Sequence, residues 1–373
     1  MKEAGLWFRI TKLYFGMIFI NESVVVRSRN LAKALALLSG GLDSTLAIRV
    51  IQEQGIEVIA LNFVTVFCRC TSHGSCKLEA VKVSEKFGIP IKVINTTERF
   101  LELVKKPKFG YGKNMNPCID CRINIFRIAG EYMREIGADF IITGEVLGQR
   151  PMSQRMEAMN IIDREANLTG LVLRPLCAKH MPPTIPEKTG LVDRERLLQI
   201  KGRSRKDQIQ LADVFQIKDY PCSAGGCLLT DPEFAHRMRD LVDNSDAGVN
   251  DVNLLKVGRH FRLDQATKVI VGRNDEDNNR LESLTKAGDW LLCLADMMGP
   301  LTLVRGDVTE EKIKIAARIT ARYGKSNVLP LVKVSVKQVN NESIAMDIEV
   351  VPMNQEEADK LILTKQNLSP CLE

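Results

Sequence analysis

The hydrophobic pattern of the N-terminal part of the chain alternates short apolar runs with amphipathic stretches. Apolar runs that predict buried strands occupy 34–38, 57–63, 91–94 and 140–143, and patterns that predict helices occupy 44–54, 77–87, 97–105 and 120–136. Strands and helices that alternate in this way build a doubly wound parallel sheet of the α/β class. Ligands of such sheets bind beyond the carboxyl ends of the strands. The loops that begin near Ser39, Cys68 and Thr143 are therefore expected to converge on one crevice.

The pattern changes near residue 250. Strands are predicted at 268–271, 289–294 and 301–305, a hairpin at 332–336 and 344–350, and helices at 274–286, 309–322 and 354–363. We therefore expect four segments: an N-terminal extension at 1–30, an α/β domain at 31–243, a linker at 244–253 and a smaller α+β domain at 254–366.

Composition and charge narrow the class of protein and its possible partners. The 373 residues include 45% hydrophobic and 26% charged residues, as in a folded globular protein. A formal net charge of +6 permits a polyanionic partner without requiring one. The apolar stretch at 6–20 is interrupted by Arg9 and Lys12 and is too short to span a membrane. It is either an amphipathic packing or membrane-surface segment or, as we favour, upstream sequence from a start codon placed too early. Without an export signal, the expected location is cytoplasmic, and the ten cysteines indicate metal or redox chemistry.

The sequence Ser-Gly-Gly-Leu-Asp-Ser at 39–44 follows the first predicted strand and opens a helix. Gly40 and Gly41 allow the backbone to approach an anion, whose charge the helix N-terminus stabilises. Ser39 and Ser44 can donate hydroxyl hydrogen bonds, and Asp43 can cap the helix or orient a metal ion. No lysine precedes the last serine, so this is not the usual P-loop. The sequence predicts a phosphate site of another type.

A second polar loop, at 143–155, follows the strand at 140–143. Its Gly144, Gln149 and Gln154 belong to a set of amide, hydroxyl, carboxylate and guanidinium groups suited to nucleotide contacts. Because parallel strands end at the same edge of a sheet, we predict that this loop lies beside Ser39 and binds the same nucleotide.

Two sets of cations are candidates for contacts with an RNA backbone. One is the run at 201–206, with Lys201, Arg203, Arg205 and Lys206. The other lies in the C-terminal domain, where the candidates are Arg259, Arg262 and Arg273, with Lys256, Lys268 and Arg280. That domain has nearly balanced charges, so binding there requires a local basic face.

Cys118 and Cys121 stand at the predicted start of a helix, where the dipole favours thiolates. Cys222 is the first candidate for a third partner, and Cys227 is the reserve. Three kinds of site fit this set: an iron–sulfur cluster with three thiolate ligands, a persulfide with a resolving thiol, or structural zinc.

A second cluster of thiols follows the strand at 57–63. It comprises Cys68, Cys70 and Cys76, for which loop-stabilising Zn²⁺, unrelated thiols and a catalytic role are all open. The remaining Cys177, Cys293 and Cys371 are isolated along the chain and are expected to be packing or surface thiols.

Residues 31 to about 243 resemble the PP-loop ATP pyrophosphatases of the tRNA 4-thiouridine synthetase type, which have an adenine nucleotide alpha hydrolase-like fold. The motifs that carry the resemblance are the loop at 39–44, the glycine–glutamine pattern at 144–154 and the run Gly-Gly-Cys-Leu-Leu-Thr at 225–230. The Asn-Pro-Cys start at 116–118 is similar to that of the tRNA 2-thiouridylases. Residues from about 254 resemble the NFACT-type RNA-binding domain through 268–274 and 288–291.

The resemblance implies an ATP-dependent tRNA sulfurtransferase that adenylates a uridine oxygen, replaces it with sulfur and releases AMP and pyrophosphate. The 39–44 loop would hold ATP with Mg²⁺, and a 4Fe–4S cluster or a persulfide at Cys118, Cys121 and Cys222 would carry the sulfur. Expected partners are tRNA, a sulfur donor such as a cysteine desulfurase or free sulfide, and a second copy of the chain. Two alternatives stay open: an adenylating ligase or amidotransferase for a small metabolite, and a non-catalytic RNA-binding protein with structural zinc.

Overall fold

The computed structural model describes residues 32–69, 75–218, 220, 226–324 and 329–363, without the side chains of 75–78 and 341–344. These residues form two compact units that are interleaved along the sequence. The first unit runs to residue 65 and resumes for 70–96 and 118–225, and the second takes 66–69, 97–117 and the residues from 226 onward. The predicted N-terminal extension lies outside the described residues.

The first unit contains a five-stranded sheet in the order β3-β2-β1-β4-β5. Its strands are β1 (Lys33–Leu37), β2 (Glu57–Val64), β3 (Ile91–Asn95), β4 (Phe140–Thr143) and β5 (Val172–Leu173). Every neighbouring pair is parallel. The doubly wound α/β fold predicted from the alternating pattern is thereby confirmed.

The helices of this unit lie between these strands or follow β5. They are α1 (Leu42–Gln52), α2 (Ser75–Phe87), α4 (Cys118–Glu135), α5 (Met156–Glu165), α6 (Ile185–Lys188) and α7 (Lys206–Val214), while α3 (Thr97–Lys105) belongs to the second unit. In α1 the side chains of Leu46, Ile48 and Ile51 are buried against the sheet. Because β1 is buried along almost its whole length, the loop that follows it is held by a rigid strand and a rigid helix.

The second unit is built on a six-stranded antiparallel sheet in the order β11-β10-β8-β9-β7-β6. Its strands are β6 (Arg259–Arg262), β7 (Thr267–Val271), β8 (Trp290–Leu294), β9 (Thr302–Gly306), β10 (Val332–Gln338) and β11 (Asn341–Val350). The helices from residue 226 onward are α8 (Pro232–Asn244), α9 (Val249–Leu254), α10 (Asp275–Ser283), α11 (Glu310–Tyr323) and α12 (Gln355–Leu361). The α+β character predicted for this part is confirmed.

Several elements differ from the sequence expectation. The segment 244–253, expected as a linker, contains most of α9, whose Val252 and Leu254 are buried. The short strands β5 and β6 were not expected, and α4 begins at Cys118 rather than near residue 120. No helix among the described residues is long and apolar enough to cross a bilayer.

Candidate functional site

The loop at 39–44 is a closed turn between β1 and α1. Gly40 has φ +79°, and a Cβ there would lie 2.9 Å from the backbone nitrogen of Ala80. The hydroxyl oxygens of Ser39 and Ser44 are 3.1 Å apart, and Ser44 Oγ donates to the carbonyl oxygen of Gly41 at 2.9 Å. Gly41 precedes α1 in an extended conformation. The loop therefore presents backbone N–H groups at a helix N-terminus, as an anion site requires.

The loop after β4 approaches this turn so closely that position 144 has no room for a side chain. A Cβ on Gly144 would lie 2.4 Å from both the carbonyl carbon of Asp43 and the backbone nitrogen of Ser44. The parallel pairing of β1 and β4 brings the two loops to the same edge of the sheet. The predicted convergence of the Ser39 and Thr143 loops is therefore observed, whereas Cys68 belongs to the second unit.

Several buried oxygen atoms at this edge lack a hydrogen-bond partner, among them oxygens of Asp43, Gln149 and Gln154. Gln149 Nε2 donates to Asp43 Oδ2 at 2.9 Å, which leaves Asp43 Oδ1 and Gln149 Oε1 without partners. Gln154 Oε1 is also buried and unpartnered, although Gly148 donates to its backbone oxygen at 2.7 Å. Because buried polar atoms normally have partners, these oxygens fit a site completed by a ligand or a hydrated cation.

An ion-pair network that the sequence did not reveal surrounds Glu145, the residue that follows Gly144. Arg174, at the end of β5, donates to Glu145 Oε2 at 3.1 Å and to both oxygens of Asp163 at 2.8–2.9 Å. Burial raises the pKa of Asp163 despite the hydrogen bonds from Arg174. The only sequence signal was an arginine after the short apolar run at 171–173. The network fixes the backbone that follows Gly144.

The same network extends to the first turn of α4. Arg122 Nε lies 3.3 Å from Glu145 Oε1, and the Cys177 thiol donates to the backbone oxygen of Glu145 at 3.4 Å. Burial raises the pKa of Cys177 to about 11. Cys177 is thus a buried packing thiol, as the sequence suggested.

Cys118 and Cys121 are the first and fourth residues of α4, and both are half-buried. We predicted that the helix dipole would favour thiolates here. For Cys118 this is wrong, since burial raises its pKa, although the charges of Arg122 and Arg150 act in the opposite direction. The desolvation of the thiolate outweighs the two guanidinium groups and a backbone hydrogen bond, which act in the opposite direction. A positively charged or metal-containing ligand would reverse this balance.

The other candidate thiol ligands are not brought to this pair by the described structure. Cys222, Cys70 and the side chain of Cys76 lie outside the described residues, whereas Cys68 and Cys227 belong to the second unit. Among the residues that are described, no group of three or more cysteine, histidine or acidic side chains could hold a metal ion.

The basic run at 201–206 adjoins the loop after β4. The backbone N–H of Gly202 donates to the carbonyl oxygen of Leu147 at 2.8 Å. The Nε atom of Arg205 is buried without a hydrogen-bond partner. Lys201, Arg203 and Lys206 are exposed. Their proposed contact with RNA stays a prediction.

Most of the candidate RNA-binding cations of the second unit form ion pairs or ring contacts with residues of the same unit. Arg262 and Lys268 both contact Asp240, at 2.5 and 3.3 Å, and Arg273 pairs with Asp277 at 2.6 Å. The guanidinium of Arg259 lies over the ring of Tyr323, 4.7 Å from its centroid. Arg259 therefore presents a cation together with an aromatic face, a combination suited to RNA.

The Asp240 cluster predicts a measurable pH dependence. Burial lowers the pKa of Lys268 to about 8, although Asp240 stabilises the ammonium, while the pKa of Asp240 is lowered because Arg262 and Lys268 outweigh its burial. The unfolded chain keeps the proton of Lys268 up to about pH 10. Lys268 should therefore contribute a rise in the free energy of unfolding between pH 8 and 10, because the unfolded state binds more protons at this side chain there.

Replacing this lysine, Lys268→Met, should remove part of that rise, while Arg262 keeps Asp240 paired. Lys256, whose pKa burial also lowers to about 8, keeps the rest of the rise. Urea unfolding at pH 7 and 9.5, followed by tryptophan fluorescence, measures this pH dependence in both proteins. Lys333→Met is the control, because Lys333 forms a partly exposed pair with Asp347. An unchanged pH slope in Lys268→Met would contradict the assignment.

Comparison with known families agrees with the resemblances that the sequence motifs indicated. The model of the thiamine biosynthesis protein family (ThiI) matches residues 30–181, and the model of the NFACT protein RNA-binding domain matches residues 258–362. The chain carries a ThiI-type PP-loop domain and an NFACT-type RNA-binding domain. The resemblance expected from the motifs at 39–44 and 268–274 is therefore confirmed.

Relatives of this chain bear the name tRNA-specific 2-thiouridylase MnmA. The protein from Clostridium acetobutylicum is 35% identical over 124 residues, covering 30% of this chain and 35% of its own length. The protein from Clostridium botulinum is 24% identical over 331 residues, covering 83% of this chain and 90% of its own length. The chain spans about a third of the length of the first of these relatives.

Two solved structures show weaker likenesses. A 4-thiouridine synthetase in complex with RNA and ATP is 22% identical, with a TM-score of 0.31 and coverage of 60% of this chain and 52% of its own. The U34-tRNA thiolase NcsA from Methanococcus maripaludis, with its [4Fe-4S] cluster, is 21% identical, with a TM-score of 0.31 and coverage of 61% and 73%. Because both TM-scores are low, the assignment of the ThiI-type domain depends on the sequence matches.

Proposed function

We propose that this protein is an ATP-dependent tRNA sulfurtransferase that replaces a uridine oxygen with sulfur. The main support comes from the carboxyl edge of the ThiI-type sheet. There, beside the glycine turn, Asp43 and Gln149 have buried oxygens without hydrogen-bond partners. The names of the thiouridylase relatives and the attached NFACT-type domain agree with tRNA as the substrate.

The turn at 39–44 binds the phosphates of ATP through its backbone N–H groups and the hydroxyls of Ser39 and Ser44. Asp43 is held by Gln149 and orients the α-phosphate or a bound Mg²⁺ through its unpartnered oxygen. The uridine oxygen attacks the α-phosphorus, and pyrophosphate leaves. The resulting adenylate makes the uridine oxygen a leaving group, so that sulfur can displace AMP at the carbon.

Cys118 and Cys121 carry the sulfur, with Cys222 as the third thiol and Cys227 in reserve. The two described thiols fit a soft metal, because they lie one turn apart at a helix N-terminus and Cys118 is half-desolvated. A 4Fe–4S cluster held by the three thiols would supply iron as the carrier of the sulfur. A persulfide on one of these cysteines is the other form that the bound sulfur can take.

Contacts with tRNA come from both parts of the chain. The basic run with Lys201, Arg203, Arg205 and Lys206 adjoins the nucleotide loops, and its exposed side chains can pair with phosphates. In the NFACT-type domain, Arg259 is the strongest of the candidates, since Arg262 and Arg273 are already paired with carboxylates. The proposed sulfur donor is a cysteine desulfurase or free sulfide. We further propose that the protein forms a homodimer and is located in the cytoplasm.

A single cysteine variant separates the two half-reactions. Cys121→Ala should abolish thiolation of unmodified tRNA while changing ATP binding less than two-fold, because Cys121 is not part of the 39–44 turn. The assay combines purified protein, ATP, sulfide and tRNA, with thionucleosides measured by mass spectrometry and AMP by chromatography. Cys293→Ser is the control, because this exposed thiol lies on β8 of the second unit.

The outcomes distinguish the remaining possibilities. A fully active Cys121→Ala protein would contradict the proposal that Cys118 and Cys121 carry the sulfur. Formation of AMP that tRNA does not stimulate would point to an adenylating ligase or amidotransferase. Iron and acid-labile sulfide that disappear in Cys118→Ala identify a cluster, whereas sulfane sulfur without iron identifies a persulfide.

A further inference from the structure

Cys68 and Cys227 face each other across a two-stranded contact within the second unit. They form an isolated antiparallel bridge, although they are far apart in the sequence. The backbone N–H of Arg69 donates to the carbonyl oxygen of Gly226 at 3.2 Å, and that of Leu228 donates to the carbonyl oxygen of Phe67 at 2.8 Å. The hydrogen bonds therefore lie on either side of the cysteines, which form the non-hydrogen-bonded type of pair.

This register brings the two thiols within bonding reach. In a non-hydrogen-bonded pair the Cα atoms are about 4.5 Å apart, and both side chains project from the same face. Disulfides need Cα separations between roughly 4.4 and 6.8 Å. Both cysteines are half-exposed, so small reagents can reach them.

The residues around the bridge hold it in place. Phe67 is fully buried, and its ring packs edge-to-face on Phe100 and Phe234 at centroid distances of 5.3 and 6.3 Å. On the other side, Arg69 pairs with Asp231 at 3.2 Å, and Asp231 caps α8 by accepting from the backbone of Phe234. The two cysteines are therefore pre-positioned by packing, and closing a bond between them requires little rearrangement.

We propose that Cys68 and Cys227 form a redox-active dithiol that a low-molecular-weight disulfide converts into an intramolecular disulfide. One thiolate attacks the small disulfide, forms a mixed disulfide and releases the first small thiol. The second thiolate then attacks the protein sulfur of that mixed disulfide, forms the Cys68–Cys227 bond and releases the second small thiol. Two electrons pass from the cysteines to the reagent, and both protons leave on the released thiols.

The test uses the full chain, reduced and then equilibrated with glutathione disulfide and glutathione. After acid quenching, alkylation and trypsin digestion, Cys68 lies in the peptide 50–69, Cys70 and Cys76 in 70–77, and Cys222 and Cys227 in 219–237. We expect the linked pair 50–69 with 219–237 to exceed glutathione adducts at either cysteine by roughly ten-fold. Fragment ions that break between residues 222 and 227 assign the bond to Cys227.

Matched variants complete the experiment. In Cys222→Ser the linked pair should persist, whereas in Cys227→Ser it should disappear and Cys68 should carry glutathione. Cys293, which is exposed on β8, should form only the glutathione adduct in every variant. Separate adducts on Cys68 and Cys227, a link from Cys68 to the 70–77 peptide, or release of one zinc ion per chain on oxidation would each overturn the proposal. None of these results depends on thiolation activity.

Discussion

Replacing glycine by alanine at one position, Gly144→Ala, is expected to weaken ATP binding by roughly a hundred-fold. The added Cβ would lie 2.4 Å from backbone atoms of Asp43 and Ser44, and neither atom can rotate out of the way. The loop after β4 must therefore move away from the 39–44 turn, which displaces the groups that contact phosphate. The strain should also lower the free energy of unfolding by about 3 kcal/mol. Calorimetric titration with ATP and urea unfolding followed by circular dichroism measure the two effects.

The stability control for this variant is Gly41→Ala. A Cβ at Gly41 would meet only Ser39 Oγ at an ordinary contact distance of 3.5 Å. Its backbone is extended, with φ −86°, which alanine adopts without strain. Gly41→Ala should therefore unfold within about 1 kcal/mol of the unsubstituted protein. ATP affinity in Gly144→Ala equal to that of the parent chain would show that the two loops do not need their close approach.

Removing the buried guanidinium, Arg174→Met, is expected to lower the free energy of unfolding by about 3–5 kcal/mol. Glu145 and Asp163 would remain buried without their shared cation, and the side chains of Arg174 and Glu145 are each only 1% exposed. Burial already raises the pKa of Asp163 with Arg174 present. Loss of the cation should raise this pKa further, so the variant should lose less stability in acid than at neutral pH, where Asp163 is ionised.

The matched control for Arg174 is Arg127→Met. Arg127 also pairs with a carboxylate, that of Glu165, but its side chain is 55% exposed and the pair spans 3.8 Å. Its loss should cost about 1 kcal/mol or less. The triple variant Arg174→Met with Glu145→Gln and Asp163→Asn should recover part of the stability, because neutral amides are less costly to bury than unpaired carboxylates. Equal costs for Arg174→Met and Arg127→Met would show that the network does not stabilise the fold.

The sequence allowed prediction of those features that local periodicity and glycine chemistry determine. The four longer parallel strands are rich in apolar residues, and the turn at 39–44 needs glycine at the positive φ of Gly40. The strand β5 has only two residues, which is too short for a hydrophobic period to appear. No local pattern could reveal it.

The missed parts of the site depend on contacts between distant residues. Glu145, Asp163 and Arg174 look like ordinary polar positions until the fold buries them together. The pKa of Cys118 was predicted from the helix dipole alone, whereas the burial that raises it follows from packing that the sequence does not display. The proposed roles of Cys222 and the basic run stay predictions.

The interleaving of the two units has a consequence for protein synthesis. The segments 66–69 and 97–117 leave the ribosome among residues of the first unit, yet they complete the second. Phe67 is buried against Phe100 and Phe234, and at typical translation rates Phe234 follows Phe67 after on the order of ten seconds. During that interval the nascent chain carries an aromatic side chain whose final packing partners do not all exist. The aromatic packing of the second unit can therefore be completed only after residue 234 has been synthesised.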